Sequence, residues 1–422
     1  MRKRLVVVGA AMAVIAATTV VASTALGGGN ASGTILIGIS AAKTSILAPY
    51  DLQPGQAFTM RIEEINKAGG VLGKKLRVQW IDTKSDKALA ATNAEELISK
   101  GAVAIIATCD FDYSFPAINA ARNHKVLGLA LCASSPKVAT PAIVGPYGGS
   151  FGEGSDTEGA TMAEWLRKAK PAWKRAYVLK DTSLEYSKAT ADYFVARWKQ
   201  LGGTISGNDT FVSGPSLDIS SQVTRLRGKL SRTDVIFNGS WLPGGATAIR
   251  QIRDAGIRLP IAGNNSIDGT LLVQVAGKIS NYYTVGSVCI PSYCSGKVTP
   301  GVQKFFNNFK KRFGVTLTSH YPTRGYDEAT AVVAAIRKAG STDGPKIADA
   351  LFGKGPNGKG LVINTLSGPQ RFTQKCHRPQ PATHVIEHYT NGKAKAIAVW
   401  PVQSIPNIGD GSSCSGKPAA VK

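Results

Sequence analysis

Ile35-Leu-Ile-Gly-Ile-Ser40, then Gln56 to Ala68, then Leu76 to Asp82 read as strand, helix and strand. The first run is apolar without alternation, the pattern of a strand covered on both faces. The helical stretch stops at Gly69-Gly70, where glycine ends the periodic pattern. The rhythm then repeats. Lys87 to Lys100 places Leu89, Ala90, Ala94, Leu97 and Ile98 on one helical face. Val103 to Ala107 and Val126 to Leu131 read as strands separated by a helix over Phe115 to Asn123. Strands alternating with helices at this spacing predict an α/β fold, with parallel sheets covered by helices.

Outward from this core, Gly145 to Gly159 carries six glycines and reads as a connector into a second α/β series. That series runs through helix Thr157 to Lys168, strand Arg175 to Lys180, helix Tyr186 to Leu201, strand Asp234 to Asn238, helix Gly245 to Ala255 and strand Leu259 to Ala262. Later helices are expected over Pro300 to Phe313, Tyr326 to Ala339 and Lys346 to Phe352. From Gln370 the sequence alternates, and a turn at Tyr389-Thr-Asn-Gly-Lys predicts a hairpin.

The N-terminus has the order of a secretory signal: basic Arg2, Lys3 and Arg4, an apolar run from Leu5 to about Ala22, then small residues. Residues 1–31 are the expected leader, with cleavage after Ala25 or Ala31 fitting equally well. No cysteine near that site offers a lipid anchor. No later stretch is apolar for long enough to span a bilayer. The remaining 391 residues are enough for two domains, each with its own core. Export also makes disulfides chemically possible. The six cysteines, Cys109, Cys132, Cys289, Cys294, Cys376 and Cys414, allow fifteen connectivities. Proximity favours Cys289 with Cys294, and the two late cysteines together.

The formal charge is +23, and removing Arg2, Lys3 and Arg4 leaves 23 − 3 = +20. The cations are scattered, with short clusters only at Lys168 to Arg175 and Lys310 to Arg312. That scatter, with export, points away from nucleic acid and toward solubility or attraction to an anionic envelope or ligand.

Two motifs invite catalytic readings and fail on context. Gly353-Lys-Gly-Pro-Asn-Gly358 matches GxGxxG, but a helix precedes it, Pro356 removes an amide, and Gly360 stands where a P-loop needs Ser or Thr. His384-Val-Ile-Glu-His388 matches HxxEH, but it alternates as a strand does. Residues four apart on a strand stand about 13 Å from one another, too far to share a zinc at about 2 Å from each. Five histidines leave little for a nucleophile–base pair. Neither a cofactor nor an enzymatic activity is expected. What remains are loops after strands, where open parallel sheets bind ligands: 41–51, 109–114, 132–135, 239–243 and 264–268.

In this order the segments resemble the periplasmic leucine/isoleucine/valine-binding proteins of branched-chain amino acid ABC transporters, over essentially the whole mature chain. The passages that carry the likeness are Phe58 to Gly73, Leu129 to Pro136, Val235 to Trp241, Gln251 to Gly256 and Gly325 to Thr330. The resemblance implies a type I periplasmic-binding fold: two Rossmann-like doubly wound lobes joined by a three-segment hinge. Lobe 1 is expected over 32–147 and 290–362, lobe 2 over 148–289 and 363–422. It also implies closure around one small molecule, delivery to an ABC permease in the membrane, a monomer, and a place in the periplasm or on the cell envelope exterior. An exported ligand-sensing domain would use the same cleft.

Carried over by position, Asp110, Phe111 and Asp112, with Cys132 and Ser134, resemble the first-lobe contacts that hold a ligand carboxylate by amides and a hydroxyl. Cys109 and Cys132 end strands expected to be neighbours, so a disulfide there would stiffen this wall. Tyr186 and Trp241 resemble the aromatic contacts of the second lobe, and Tyr50 is placed at the entrance. The family places a Glu, paired with the ligand ammonium, where this chain has Asn265. Either Asp110, Asp112 or Asp268 supplies the charge, or the ligand lacks an α-ammonium. Amino acids, carboxylates, amides and aromatic or apolar metabolites all stay open, the last favoured by Trp241, Phe111 and Tyr113.

Overall fold

Seven of the eight residues of β1 (Thr34–Ala41) are buried, as a strand covered on both faces requires. The computed structural model describes residues 33–355, 358–380 and 383–417, and the expected leader lies outside them. β1 pairs in parallel with β2 (Lys75–Asp82) and β3 (Ala102–Ala107), and the sheet continues in parallel through β4 (Leu127–Ala130) to β5 (Gly148–Ser150). The spatial order is β2-β1-β3-β4-β5, so the strand order reverses between β1 and β3. The crossovers are α1 (Ala48–Lys67), α2 (Lys87–Ser99), α3 (Phe111–Asn123) and the single turn α4 (Pro141–Val144).

The second series repeats this plan. After α5 (Ser155–Ala169) come β6 (Arg175–Asp181), α6 (Glu185–Gln200), β7 (Thr204–Phe211), α7 (Ser220–Arg227) and β8 (Val235–Gly239). Then follow α8 (Gly244–Asp254), β9 (Ile261–Gly263), α9 (Gly269–Ala276) and β10 (Tyr282–Gly286). These five strands are parallel in the order β7-β6-β8-β9-β10, the first sheet's order over again.

The chain next forms the two-residue β11 (Cys294–Ser295), then α10 (Pro300–Phe313), α11 (Pro322–Ala339), α12 (Gly344–Phe352) and the hairpin β12 (Lys359–Thr365) and β13 (Gly368–Thr373). Phe58 and Ile62 of α1, Val332 and Ile336 of α11, and Leu351 of α12 share one core with Ile37, Ile106 and Leu129 of the first sheet. Ile363 and Phe372 belong to that core as well, with Phe372 against Phe151 and Phe352 at 5.7 and 5.6 Å between ring centroids. The hairpin's apolar residues therefore face the first sheet's helices, although Ile363 was expected to open the second lobe. Finally β14 (Thr383–Thr390) pairs antiparallel with β10, and β15 (Lys393–Pro401) antiparallel with β14.

Three elements depart from the periodic reading for local reasons. α1 starts at Ala48 rather than Gln56: Pro49 sits in the first turn, where a missing N–H costs little. Gly55 lies under Trp80, and a Cβ there would meet the indole at 2.3 Å. α3 starts at Phe111 rather than Phe115, so Phe111 and Asp112 are helical. β7 was not expected: it is a half-exposed edge strand with Ser206, Asn208 and Asp209 in place of an apolar run. The Gly145–Gly159 stretch is buried from Gly148 onward and contains β5 and the start of α5. The disulfides join Cys109 to Cys132, Cys289 to Cys294 and Cys376 to Cys414. His384 to His388 lie within β14. Gly353 caps α12, and Lys359 opens β12, the reverse of a phosphate-binding strand–loop–helix; Pro356 and Asn357 lie outside the described residues.

Candidate functional site

Each sheet reverses its strand order once, and the loops at those two points face one another across a cleft. From the first come Leu47 and Tyr50, after β1, and Cys109 and Asp110, after β3. From the second come Leu184, after β6, and Trp241, after β8. Together with Cys132, Ser134, Tyr186, Ser266 and Tyr321 they line a single cavity of about 20 Å³. That is room for a water or two and no more, so the cleft is closed on itself.

Several contacts cross it. The Tyr50 hydroxyl accepts from the Leu242 amide at 2.7 Å and donates to the Ser266 carbonyl at 3.1 Å. Burial pushes this phenol well above its ordinary range, so it keeps its proton. Asp112 Oδ2 accepts from the Glu185 amide at 2.9 Å. Lys137 pairs with Glu185 at 2.6 Å, partly exposed, a contribution of at most about 1 kcal/mol.

Of the residues singled out from sequence, Tyr50, Asp110, Cys132, Ser134, Tyr186 and Trp241 line the cavity; Phe111, Asp112 and Asn265 do not. Phe111 packs on Phe115 at 5.4 Å. Asp112 ties α3 to α6 instead. Asn265 is fully buried behind the wall, its Oδ1 accepting from the Tyr186 and Tyr321 hydroxyls, each at 2.7 Å. Ser134 is also engaged internally: its hydroxyl donates to the Cys132 carbonyl and accepts from the Glu153 amide.

Behind Asn265 stands a buried charge cluster that periodicity gave no hint of. Glu153 meets Arg324 at 2.9 Å and His384 at 3.2 Å. Burial pushes its carboxyl up, but the Arg324 charge, the His384 bond and His320 outweigh burial and hold it well below the ordinary carboxylate range. Glu158 Oε2 lies 2.7 Å from the Tyr186 hydroxyl oxygen. Burial first, then the charge of Glu153, push it well above that range. The two neighbouring acids are thus pushed in opposite directions. Asp156 pairs with Arg378 at 2.8 Å, and Asp268 meets His320 and the Tyr293 hydroxyl, each at 2.9 Å. Such pairs are costly to bury unless satisfied, and they brace the base of the cleft where the chain crosses between sheets.

Asp110 is the one ionisable carboxylate on the cavity wall. It precedes α3 in extended conformation and is only 5% exposed, and its Oδ1 has no hydrogen-bond partner. Burial and the charge of Asp112 raise it to about 8, against the pull of the Asp112 and Tyr113 amides. Neighbouring Asp51, outside the cavity, is raised by burial to about 7 while accepting from the Cys109 and Ala42 amides. Leu47 and Ser266 lie in the loops 41–51 and 264–268 singled out from sequence but were not named individually; Leu184 and Tyr321 lie outside those loops, Tyr321 standing four residues before the Gly325-Tyr-Asp-Glu passage. Among the described residues no group of three or more His, Cys, Asp and Glu is placed to hold a metal, and no helix is long and apolar enough to cross a membrane.

The family model described as "Periplasmic binding protein" matches residues 34–393. A curated relative, Leu/Ile/Val-binding protein homolog 3 of Brucella melitensis, is 23% identical over 360 residues, 85% of this chain and 92% of that protein. The branched-chain amino acid transporter substrate binding protein LivJ of Streptococcus pneumoniae, solved with isoleucine, has a TM-score of 0.73 at 22% identity, covering 87% of this chain and 99% of that one. A solute binding protein of R. palustris, solved with benzoate, has a TM-score of 0.67 at 17% identity, covering 87% and 97%. The likeness to the two solved structures is one of fold.

Proposed function

We propose that this chain, which belongs to the periplasmic binding protein family, is the extracytoplasmic solute-binding component of an ABC importer. It has the type I fold of that family, and it works by closing two lobes on a small molecule. The observation that carries this reading is the convergence of both strand-order reversals on one cavity, the position at which open α/β sheets bind ligands. Closure follows if a ligand touches both walls, because it then binds the closed state better than the open one.

We read lobe 1 as residues 33–151 and 290–373, and lobe 2 as residues 152–289 and 383–417. The first crossing then follows β5, a strand of the first sheet, and Phe151, which packs in that sheet's core; the third follows the hairpin, since Ile363 and Phe372 pack in the same core. Residues 1–31 are read as a cleaved export signal. The protein acts as a monomer without nucleic acid, handing its ligand to a membrane permease, and it is not a catalyst. The relatives' ligands, isoleucine in one solved structure and benzoate in another, bound the starting panel.

The test is a thermal-shift and calorimetry panel of amino acids, aromatic acids, amides and amines. Trp241→Ala should abolish the ligand-induced shift; because the indole is also buried in the second-sheet core and donates to Ser183, the unliganded melting temperature should fall as well, and binding is compared at a temperature where the variant is still folded. A protein that no panel compound stabilises, or one that turns a compound over, would sink this reading.

A further inference from the structure

The cavity wall is chemically one-sided. It carries no Lys, Arg or His, and its one acid is Asp110. Around Asp110 stand four aromatic side chains, Tyr50, Tyr186, Trp241 and Tyr321. Tyr50 packs at 6.2 Å from Trp241 and 5.4 Å from Tyr321 between ring centroids.

The polar tips of all four are already engaged. Tyr50 bonds Leu242 and Ser266, Tyr186 bonds Glu158, Asn265 and Asn264, Trp241 Nε1 donates to Ser183 at 2.9 Å, and Tyr321 bonds Asn265 and Ser266. What they have left to offer a ligand is ring surface. Ring faces are negative and attract cations, and several rings gathered together are the usual means of holding an alkylated ammonium. Asp110, by contrast, retains a buried oxygen without a partner. Burial favours the protonated form of that acid, and a cation brought to it is what would favour its charge, so the group gains most from a cationic ligand.

The same wall is poorly made for an anion. The start of α3, whose amides would suit a ligand carboxylate, has the Asp110 side chain in front of it. The Ser134 hydroxyl, the other group that the family resemblance would assign to a carboxylate, is spent on Cys132 and Glu153.

We propose that the ligand of this cleft is a compact organic cation, its alkylated ammonium held between the aromatic rings and its charge met by Asp110. This rests on the solute-binding reading above and names its substrate class. Asn265 is then no gap in the site: the acid that faces the ligand has moved from the second lobe to the first.

The experiment is calorimetric titration of the purified protein with choline, tetramethylammonium, isobutylamine and agmatine, beside leucine, benzoate and 3,3-dimethylbutan-1-ol, the neutral carbon analogue of choline. At least one cation should bind. If it is choline, it should bind roughly 10- to 100-fold tighter than its neutral analogue, the scale of desolvated cation–π and charge-assisted contacts. Asp110→Asn should reduce that preference to within about threefold. Asn serves as well as Asp before a helix, so the variant removes charge and leaves the fold; an unchanged melting temperature checks this. For a cation without a neutral analogue, the tenfold or greater loss in Asp110→Asn is itself the readout.

Binding of leucine or benzoate with all four cations silent would overturn the cation assignment and leave the solute-binding reading standing. Cation binding that is indifferent to Asp110→Asn would overturn it too. Silence of the whole panel would count against both.

Discussion

Tyr50→Phe tests whether closure is a property of the cleft or only of the ligand. The Tyr50 hydroxyl both accepts from and donates to backbone of lobe 2, at Leu242 and Ser266. Removing it leaves the ring, and so the packing on Trp241 and Tyr321, but strands the Leu242 N–H in a buried setting. A stranded buried donor costs about 1–3 kcal/mol. In the open state both backbone groups meet water, and the substitution costs nothing there. The closed-to-open ratio should therefore fall by roughly 5- to 150-fold, and ligand affinity should fall wherever closure is coupled to binding. All six cysteines are paired, so two introduced cysteines, one at exposed Lys100 and one at exposed Arg227, can be labelled selectively. Single-molecule energy transfer between them then reads the lobe separation. An unchanged distance distribution in Tyr50→Phe, with affinity also unchanged, would refute the latch. A lowered melting temperature without opening would show that the hydroxyl supports the fold instead.

The Cys109–Cys132 disulfide closes a loop with a sequence separation of 23, which in the chain-entropy picture is worth about 3 kcal/mol. Replacing both residues with Ala should lower unfolding stability in urea by that order and, since both line the cavity, weaken ligand binding; a loss under about 0.5 kcal/mol would dismiss the structural role. Stability should also decline as pH rises. Burial raises Asp51 and Asp327 to about 7 and Asp110 to about 8, so the folded chain holds protons that the unfolded chain has released. Their contribution is full below the ordinary carboxylate range and is lost as pH climbs through 7 to 8, each group adding a slope of up to about 1.4 kcal/mol per pH unit. His377, lowered by burial to about 4, works on the other flank, its contribution lost as pH falls from about 6.5 toward 4. Urea unfolding between pH 6 and 8.5 should show the alkaline decline, shallower in Asp327→Asn, and a rise across that window would contradict the assignment.

The strand–helix rhythm was legible because it is local. Pro300–Phe313 matches α10 at both ends, and the turn at Asn391-Gly392 joins β14 to β15 where the hairpin was expected. Apolar spacing along one element records which face that element buries, and nothing distant is needed to read it. The errors are local too. Pro54-Gly55 looks like a break in α1 until Trp80, on another element, is seen to need the space. The polar run of β7 is a strand only because β6 stands beside it.

The site divides along the same line. The family resemblance pointed to nine residues, of which Tyr50, Asp110, Cys132, Ser134, Tyr186 and Trp241 line the cavity and Phe111, Asp112 and Asn265 do not. Asn265 was placed by family register, which aligns the backbone but says nothing of which way an amide turns. The Glu153–Arg324–His384 cluster spans residues 153 to 384. A charge is read from sequence as solvated, and only partners brought from far along the chain let it be buried. The sequence by itself thus determined the alternation, the α/β class and most of the loops from which the cavity wall is built. Only the tertiary structure decided that the two reversals of strand order close on one cavity and that Asp110, rather than residue 265, is its acid. Periodicity acts within a dozen residues, whereas the cavity joins residues from 47 to 321, whose proximity comes from packing.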